Sequence, residues 1–372
     1  MTSSPPLLPQ VRAMRERAGL RPAQLAQQVG ITRQALHSIE TGAYVPNTLI
    51  ALHLARVLRC AVEDLFRLPE SGVQAKLVGP APLPARVRLA QVRGEWLAFP
   101  AAGQGGLTEA ADGVATHLSA GQAKVELFGD LELARRSAVL VGCDPSLALL
   151  STHVARQHQG TRLVLHELSS KAALRALARG EAHAAGIHLF DAASGVSNLP
   201  FVQREFPAGD LHLFTLWSWE QGLQVAAGNP KGIAGVTDLL RPEIRLQNRE
   251  QDAGSRLLLD AWLDAAGISQ RARRGVTGYQ DEITTPLGAA RRIADGEADV
   301  AVGPRSAAVA LGLDFIPLQV ERFDLVVPAE WVDHAGIQAM LSVVQQTAFR
   351  TELRALGGYD PTHAGELWKT TA

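Results

Sequence analysis

The stretch Gly30-Ile31-Thr32-Arg33-Gln34-Ala35-Leu36-His37-Ser38-Ile39-Glu40-Thr41-Gly42 constrains this chain most, because at helical spacing it separates into an apolar stripe and a polar one. Ile31, Ala35, Leu36 and Ile39 fall on the first stripe and demand a partner to bury them. Thr32, Arg33, Gln34, His37 and Ser38 fall on the second, and such side chains hydrogen-bond base edges and phosphates in a major groove. Val29-Gly30-Ile31-Thr32 supplies a short glycine turn ahead of the helix, with Thr32 as its N-cap. The stretch reads as a recognition helix, with Arg33 and Gln34 as base readers and Thr32, His37 and Ser38 on base or phosphate. The plainer reading is a solvated face in a small helical bundle. Turn glycine, periodicity and local charge argue against it independently.

Five apolar blocks at helical spacing run from Gln10 to Leu68, and Pro46-Asn47 is a natural start for the fourth. The whole chain has a formal net charge of -1, yet Arg12 to Arg67 holds eight Arg against four acids, so nucleic-acid affinity is expected to be local. Ser/Pro-rich residues 1–9 are expected to form a disordered arm. The strings Arg15-Glu16-Arg17-Ala18-Gly19-Leu20, Leu25-Ala26, Gly30 to Gln34, Ile39 to Gly42, Val45-Pro46, Leu54-Ala55 and Val62 to Phe66 carry a family likeness. The module resembles the Cro/lambda-repressor-like helix-turn-helix domain of the xenobiotic-response-element type. That resemblance implies an all-α DNA-binding domain over residues 10–68, working as a homodimer on a double-stranded operator with half-sites about one helical turn apart. The family usually opens its second helix with Thr-Gln, where this chain has Arg21-Pro22, so the phosphate contact passes to Arg21 or Gln24. Glu40 is expected to pair with Arg12 or Arg15 rather than meet DNA.

Pro69 to Gly79 reads as a hinge by composition. Beyond it the apolar period becomes two, at Val87/Leu89, Trp96/Ala98 and Val125/Leu127, which predicts a small antiparallel β-module from about Leu83 to Leu133, within a connector of 69–136. A spacer is its plainest role; a dimer contact, a brace for the next domain, or phosphate tracking by Arg86, Arg88 and Arg93 are the others.

From Ser137 strand and helix patterns alternate, the mark of a mostly parallel sheet. Strands are expected at Ala138–Gly142, Leu163–Leu165 and Ala184–Leu189, with helices opened by Asp144-Pro145-Ser146 and Ser169-Ser170. The alternation returns with strand Ile244–Asn248, helices Gly254–Ala266 and Leu287–Ala294, and strand Ala298–Val302. Leu211 to Ala227 is long and apolar enough to cross between two lobes, which implies a cleft. Gly142 to Leu147, Leu177 to Leu189, Gln221-Gly222-Leu223, Gly228 to Gly232, Asn248-Arg249, Gly254 to Asp260, Asp295 to Val300 and Gly357 to Asp360 carry a second likeness. This half resembles the periplasmic-binding-protein-like domain, type II, most closely the molybdate-binding branch and its cytoplasmic relatives. The expected fold class is therefore multidomain: the helical module, a small β-rich connector, a bilobal α/β domain over 137–360 and a tail over 361–372.

Such a cleft binds anions by aiming helix N-termini at them. The candidate starts are Asp144 to Ser146, Ser169-Ser170, Gly254-Ser255 and Pro304-Arg305. His188, Arg249 and Arg256 add positive charge, and the family's Asn-Arg motif adds Asn248. The implied ligand is a small anion, molybdate or tungstate or a molybdopterin-type compound, as an effector rather than a tightly bound cofactor. Asp144 would repel a bare oxyanion unless turned away, and Ser or Asp at these points also simply cap their own helices. Relatives usually have Thr at Ser255, His at Pro286, and a Gly-rich turn where this chain has Gln251-Asp252-Ala253.

No signal-peptide pattern opens the chain and no apolar run reaches the length of a membrane span, so the protein is expected to be cytoplasmic, without a membrane partner. Cys60 and Cys143 are read as reduced thiols. His153/His158 and His183/His188 are each five apart, a spacing that favours no shared metal ion. Nothing resembles a nucleophile elbow, a Walker loop or a paired-carboxylate site, so no enzyme is expected. The residues point to a ligand-responsive, sequence-specific transcription regulator. The competing class is an anion or cofactor storage or delivery protein with non-specific DNA affinity, and a regulator whose cleft has lost its ligand is a third.

Overall fold

The computed structural model describes residues 7–67, 72–101, 106 and 109–371, and the chain divides into two compact units, Met1–Val73 and Gln74–Ala372. In the first, five helices match the five apolar blocks: α1 (Val11–Arg17), α2 (Pro22–Val29), α3 (Arg33–Glu40), α4 (Thr48–Leu58) and α5 (Val62–Leu65). Pro22 opens α2, and Gly30 ends it in the left-handed region at φ 78°, a turn that a Cβ would strain. Thr32 Oγ1 accepts from the Ala35 amide at 3.0 Å, so the predicted cap forms, and Asn47 Oδ1 accepts from the Ile50 amide at 3.0 Å at the expected start of the fourth helix. Leu25, Leu36, Ile39, Leu54 and Leu65 close one core, while Ile31 and Ala35 are only half-buried. Arg15 Nε meets Glu40 Oε1 at 2.6 Å with both side chains nearly buried; Arg12 pairs with Glu16 instead. The end of the expected arm is a strand instead. Strand β1 (Leu8–Pro9) pairs with β2 (Phe66–Arg67), tying the chain start to the end of α5, and residues 1–6 lie outside the described set.

The second unit opens with a closed five-stranded barrel of β3 (Gly72–Leu77), β4 (Ala85–Val92), β5 (Glu95–Pro100), β6 (Gly113–Ser119) and β7 (Gln122–Leu127), in the order β3-β5-β4-β6-β7. Two expectations change here. Much of the predicted hinge is strand β3, with residues 68–71 outside the described set, and β3 runs parallel to β5, so the module is not wholly antiparallel. Nor is it a spacer. Val78, Ala90, Val92, Leu97 and Phe99 share one core with Val139, Val141 and Val164 of the following sheet. The arginines brace rather than track phosphate. Arg88 pairs with Glu109 and donates to Leu165 O, Arg86 donates to the carbonyls of Gly106 and Glu109, and Arg93 reaches Glu330. Arg162 locks the joint by forking onto Asp112 at 2.8 and 2.9 Å and donating to Leu89 O.

The large sheet takes the order β15-β14-β16-β13-β17-β10-β8-β9. Its first lobe holds β8 (Ala138–Gly142), β9 (Leu163–Glu167) and β10 (Ala184–Ile187); β8 is parallel to both neighbours, with helices Leu147–Gln157 and Ser170–Ala178 following β8 and β9. Period-two alternation sends Ala138 and Leu140 into one layer of core and Val139 and Val141 into the other, which is why β8 reads as continuous apolar sequence. A short hairpin, β11 (Phe190–Asp191) with β12 (Val196–Ser197), leads to β13 (Leu211–Val225). The second lobe holds β14 (Leu246–Arg249), β15 (Glu282–Ile283) and β16 (Val300–Pro304) around a separate core of Leu223, Ile244, Leu259, Leu263 and Val302. Strand β17 (Asp314–Pro328), not anticipated, runs antiparallel to β13 along its length, so two crossing strands join the lobes. At the end of the bilobal domain β18 (Tyr359–Asp360) pairs with β13, and the expected tail is structured too, with β19 (Glu366–Thr371) pairing with β13. Among the described residues no helix is long and apolar enough to cross a membrane.

Candidate functional site

On α3 the buried Leu36 and Ile39 fix the helix against the core and turn Arg33, Gln34 and His37 outward, all exposed. With Pro22 and Glu40 these three line a concavity of about 450 Å³ on the outer face. Thr32 is exposed, but its oxygen already caps the helix. Ser38 is half-buried, its carbonyl accepting from the Tyr44 amide at 3.1 Å. Gln24 does not reach outward freely: its Oε1 accepts from the Arg21 amide at 2.9 Å, a side-chain cap at the start of α2. Arg21 stays exposed.

In the second unit the ends of β8, β9 and β10 face the ends of β14 and β16 across the crossing strands, and the lobes are in contact. Arg175 pairs with Asp252, and the Lys171 amide donates to Asp252 O at 3.3 Å. A Cβ at Gly254 would overlap the His188 carbonyl oxygen, so only glycine lets helix Gly254–Ala265 approach this closely. His188 is 1 % exposed; its amide donates to Ser170 Oγ at 3.1 Å, and its Nδ1 lies 2.8 Å from Glu321 Oε2. Burial pulls against the charged imidazolium, but Cys143 and Glu321 overcome it and raise His188 to about 10. Arg249 is likewise 1 % exposed. Its Nε and Nη2 donate to the carbonyls of Ile283 and Thr284 at 3.1 and 2.6 Å, while Nη1 has no partner. Burial pushes this guanidinium below the usual arginine range, opposed by its neighbours Cys143, Glu250 and Glu167. Ser169 Oγ, at the head of helix Ser170–Ala178, is buried and unpartnered too.

Several expected contacts are already engaged inside the protein. Asp144 is fully committed: it accepts from the Ser146 amide and hydroxyl at 2.8 Å, from Trp217 Nε1 at 2.7 Å and from Tyr359 OH at 2.7 Å. Neither Asp144 nor Ser146 is therefore free for a ligand, and the repulsion expected of Asp144 is absorbed locally. Asn248 holds the Tyr279 carbonyl and the Arg249 amide. Arg256 pairs with Asp260, donates to Arg249 O and lies 4.3 Å over the Tyr279 ring, which makes it a strut of the second lobe. Arg305 pairs with Glu220 and stacks on Phe315. Ser255 is buried in the first turn beside Gly254. His183 is a core histidine, apart from His188: its Nδ1 accepts from the Val139 amide at 2.9 Å, and burial holds it down to about 3. The geometry thus gathers His188, Arg249, Ser169, Ser170 and Gly254, and adds Cys143 and Glu321, which residue type and spacing did not place there. Glu321 did leave a trace, standing in the same alternating phase as buried Phe323, Leu325 and Val327.

A PBP superfamily domain model matches residues 151–345, more than half of the chain. The chain belongs to the PBP superfamily. A helix-turn-helix domain model matches residues 9–68, so this PBP-superfamily chain carries a helical DNA-binding-type domain of the xenobiotic-response-element class ahead of its bilobal domain. The chain is 32% identical over 233 residues to the uncharacterized protein YvgK of Bacillus subtilis, covering 63% of this chain and 74% of that protein. Its first part is 40% identical over 65 residues to an uncharacterized HTH-type transcriptional regulator of Methanothermobacter thermautotrophicus, 17% of this chain and 94% of that one. Among solved structures, the sulfate-binding protein SubI from Mycobacterium tuberculosis matches with 19% identity and a TM-score of 0.47, over 61% of this chain and 88% of that chain.

Proposed function

We propose that this protein is a ligand-responsive, sequence-specific transcription regulator and not an enzyme. It acts as a homodimer in the cytoplasm, with α3 in the major groove and a small anion between the lobes as effector. What carries the reading is Arg249, 1 % exposed with an unpartnered Nη1 on the second lobe, together with the buried, unpartnered Ser169 hydroxyl at a helix start on the first and the start of helix Gly254–Ala265 against His188. A buried guanidinium donor without an acceptor is costly, and an oxyanion is the acceptor that suits it. Helix starts on both lobes favour the same charge. Molybdate and tungstate are the compact candidates, and a molybdopterin-type compound is the larger one. Because the anion touches both lobes, it favours one lobe arrangement, and a coupling of about 1–3 kcal/mol would change operator affinity roughly 5–150-fold.

Two titrations test this. Calorimetry with molybdate, tungstate, sulfate and molybdopterin should give saturable binding of at least one, lost in Arg249→Met; silence from all four removes the effector reading. Fluorescence anisotropy on the DNA upstream of the protein's own gene, against a scrambled duplex in rising salt, should show a preference that persists as overall affinity falls. Equal binding to both duplexes would favour the storage or delivery protein.

A further inference from the structure

The interlobe site contains a thiol that the anion reading does not use. Cys143 Sγ lies 3.8 Å from His188 Nε2, and the opposite ring nitrogen lies 2.8 Å from Glu321 Oε2. Cys143, His188 and Glu321 are 2, 1 and 3 % exposed, so sulfur, imidazole and carboxylate form a buried line drawn from the ends of β8 and β10 and from β17. The ring's orientation is fixed by the Glu321 carboxylate at Nδ1 and by an edge contact with Trp219, ring centroids 4.9 Å apart, while the Ser170 hydroxyl holds the backbone amide of His188. Arg249 approaches from β14. Cys143 is among its neighbours, and its Nη1 is unpartnered. Ser169 Oγ and Glu321 Oε1 are also buried without partners.

We propose that Cys143 is a reactive thiol, oxidised to the sulfenic acid by a small hydroperoxide that enters between the lobes. Cys143 passes its proton to His188, which Glu321 holds in place to receive it. The thiolate sulfur attacks one peroxide oxygen: an S–O bond forms, the O–O bond breaks, and the departing hydroxide or alkoxide takes the proton back from His188 to leave as water or alcohol. Two electrons pass from sulfur to the peroxide. The free Nη1 of Arg249 is the donor that stabilises the negative oxygen formed in this step. At Cys60, burial and then Asp64 push the thiol up and away from reactivity.

The test compares two full-length chains, Cys60→Ser and Cys143→Ser, each leaving one thiol. Both are treated with hydrogen peroxide, and the sulfenic acid is trapped with dimedone and counted by mass spectrometry. Cys143 should react at least about tenfold faster than Cys60, although it is the more buried of the two. Tryptophan fluorescence should change at the same rate in the Cys60→Ser chain, because Trp219 touches His188. His188→Gln added to that chain should slow the reaction by a similar factor, with Glu321→Gln standing in if the first variant does not fold. Cys143 reacting no faster than Cys60 overturns the proposal, as does a folded His188→Gln chain with an unchanged rate. Hydrogen peroxide is uncharged and no effector is added, so either result leaves the anion reading to its own titration.

Discussion

Asp324 lies fully buried on β17, where Asn198 Nδ2 donates to it at 2.7 Å and Arg322 Nε at 3.0 Å. Burial outweighs the pull of Arg322 and Asn198 and raises its carboxyl from 3.8 to about 6. A carboxyl that holds its proton more tightly folded than unfolded adds stability that is full below its unfolded pKa and disappears as pH rises through the folded one. That places the loss between about pH 4 and pH 6, amounting to about 3 kcal/mol. Asp324→Asn should flatten the wild-type profile over that window when both chains are unfolded in urea at stepped pH; parallel profiles would reject the assignment. Residues of this kind show how far single positions were legible. Arg249, His188 and Gly254 could be named because their types suit an anion site, but which neighbours had already claimed Arg256, Asp144 and Arg305 depended on Tyr279, Trp217 and Glu220, far away in sequence.

Elements were more legible than contacts wherever local chemistry decides them. The start of α3 was readable because a Thr cap and a left-handed glycine act over three or four residues. Thr32→Ala should therefore cost about 1 kcal/mol of stability in the helical unit, read from its unfolding midpoint. Arg33→Ala or Gln34→Ala should leave that midpoint unchanged and instead cost about 1–3 kcal/mol of discrimination between operator and single-base variants, since both side chains point away from the core. A drop in stability without loss of discrimination would return α3 to an ordinary bundle helix. Elements formed by distant pairing were the ones that escaped. Strand β17 is interrupted by Pro317 and charged at Glu321, Arg322 and Asp324, and only its partner β13 makes it a strand. The same holds for β3, completed by β5, and for the polar run of β19, completed by β13.

For the whole molecule, composition and periodicity distinguished a helical front, a β-rich middle and an α/β rear, but not how many bodies these make. The barrel was separable in sequence because its period-two pattern and glycine turns differ from the strand-and-helix alternation beyond Ser137; it is inseparable in space because Val78, Val92 and Phe99 complete the core around Val139 and Val141. A shared core implies shared cooperativity. Calorimetry should therefore resolve two transitions, one for the helical unit and one for barrel and lobes together. Arg162→Ala removes the fork onto Asp112 and leaves that carboxylate, with a side chain 13% exposed, without its counter-charge. The loss should be about 3 kcal/mol and fall on the second transition alone. A fragment beginning at residue 74 should keep that transition, whereas one beginning at residue 137 should lose it, because Val139 and Val141 would then face water. Should the shorter fragment unfold at the same temperature as the longer one, the barrel is an appendage, and the bilobal domain must owe its stability to its other core layer alone.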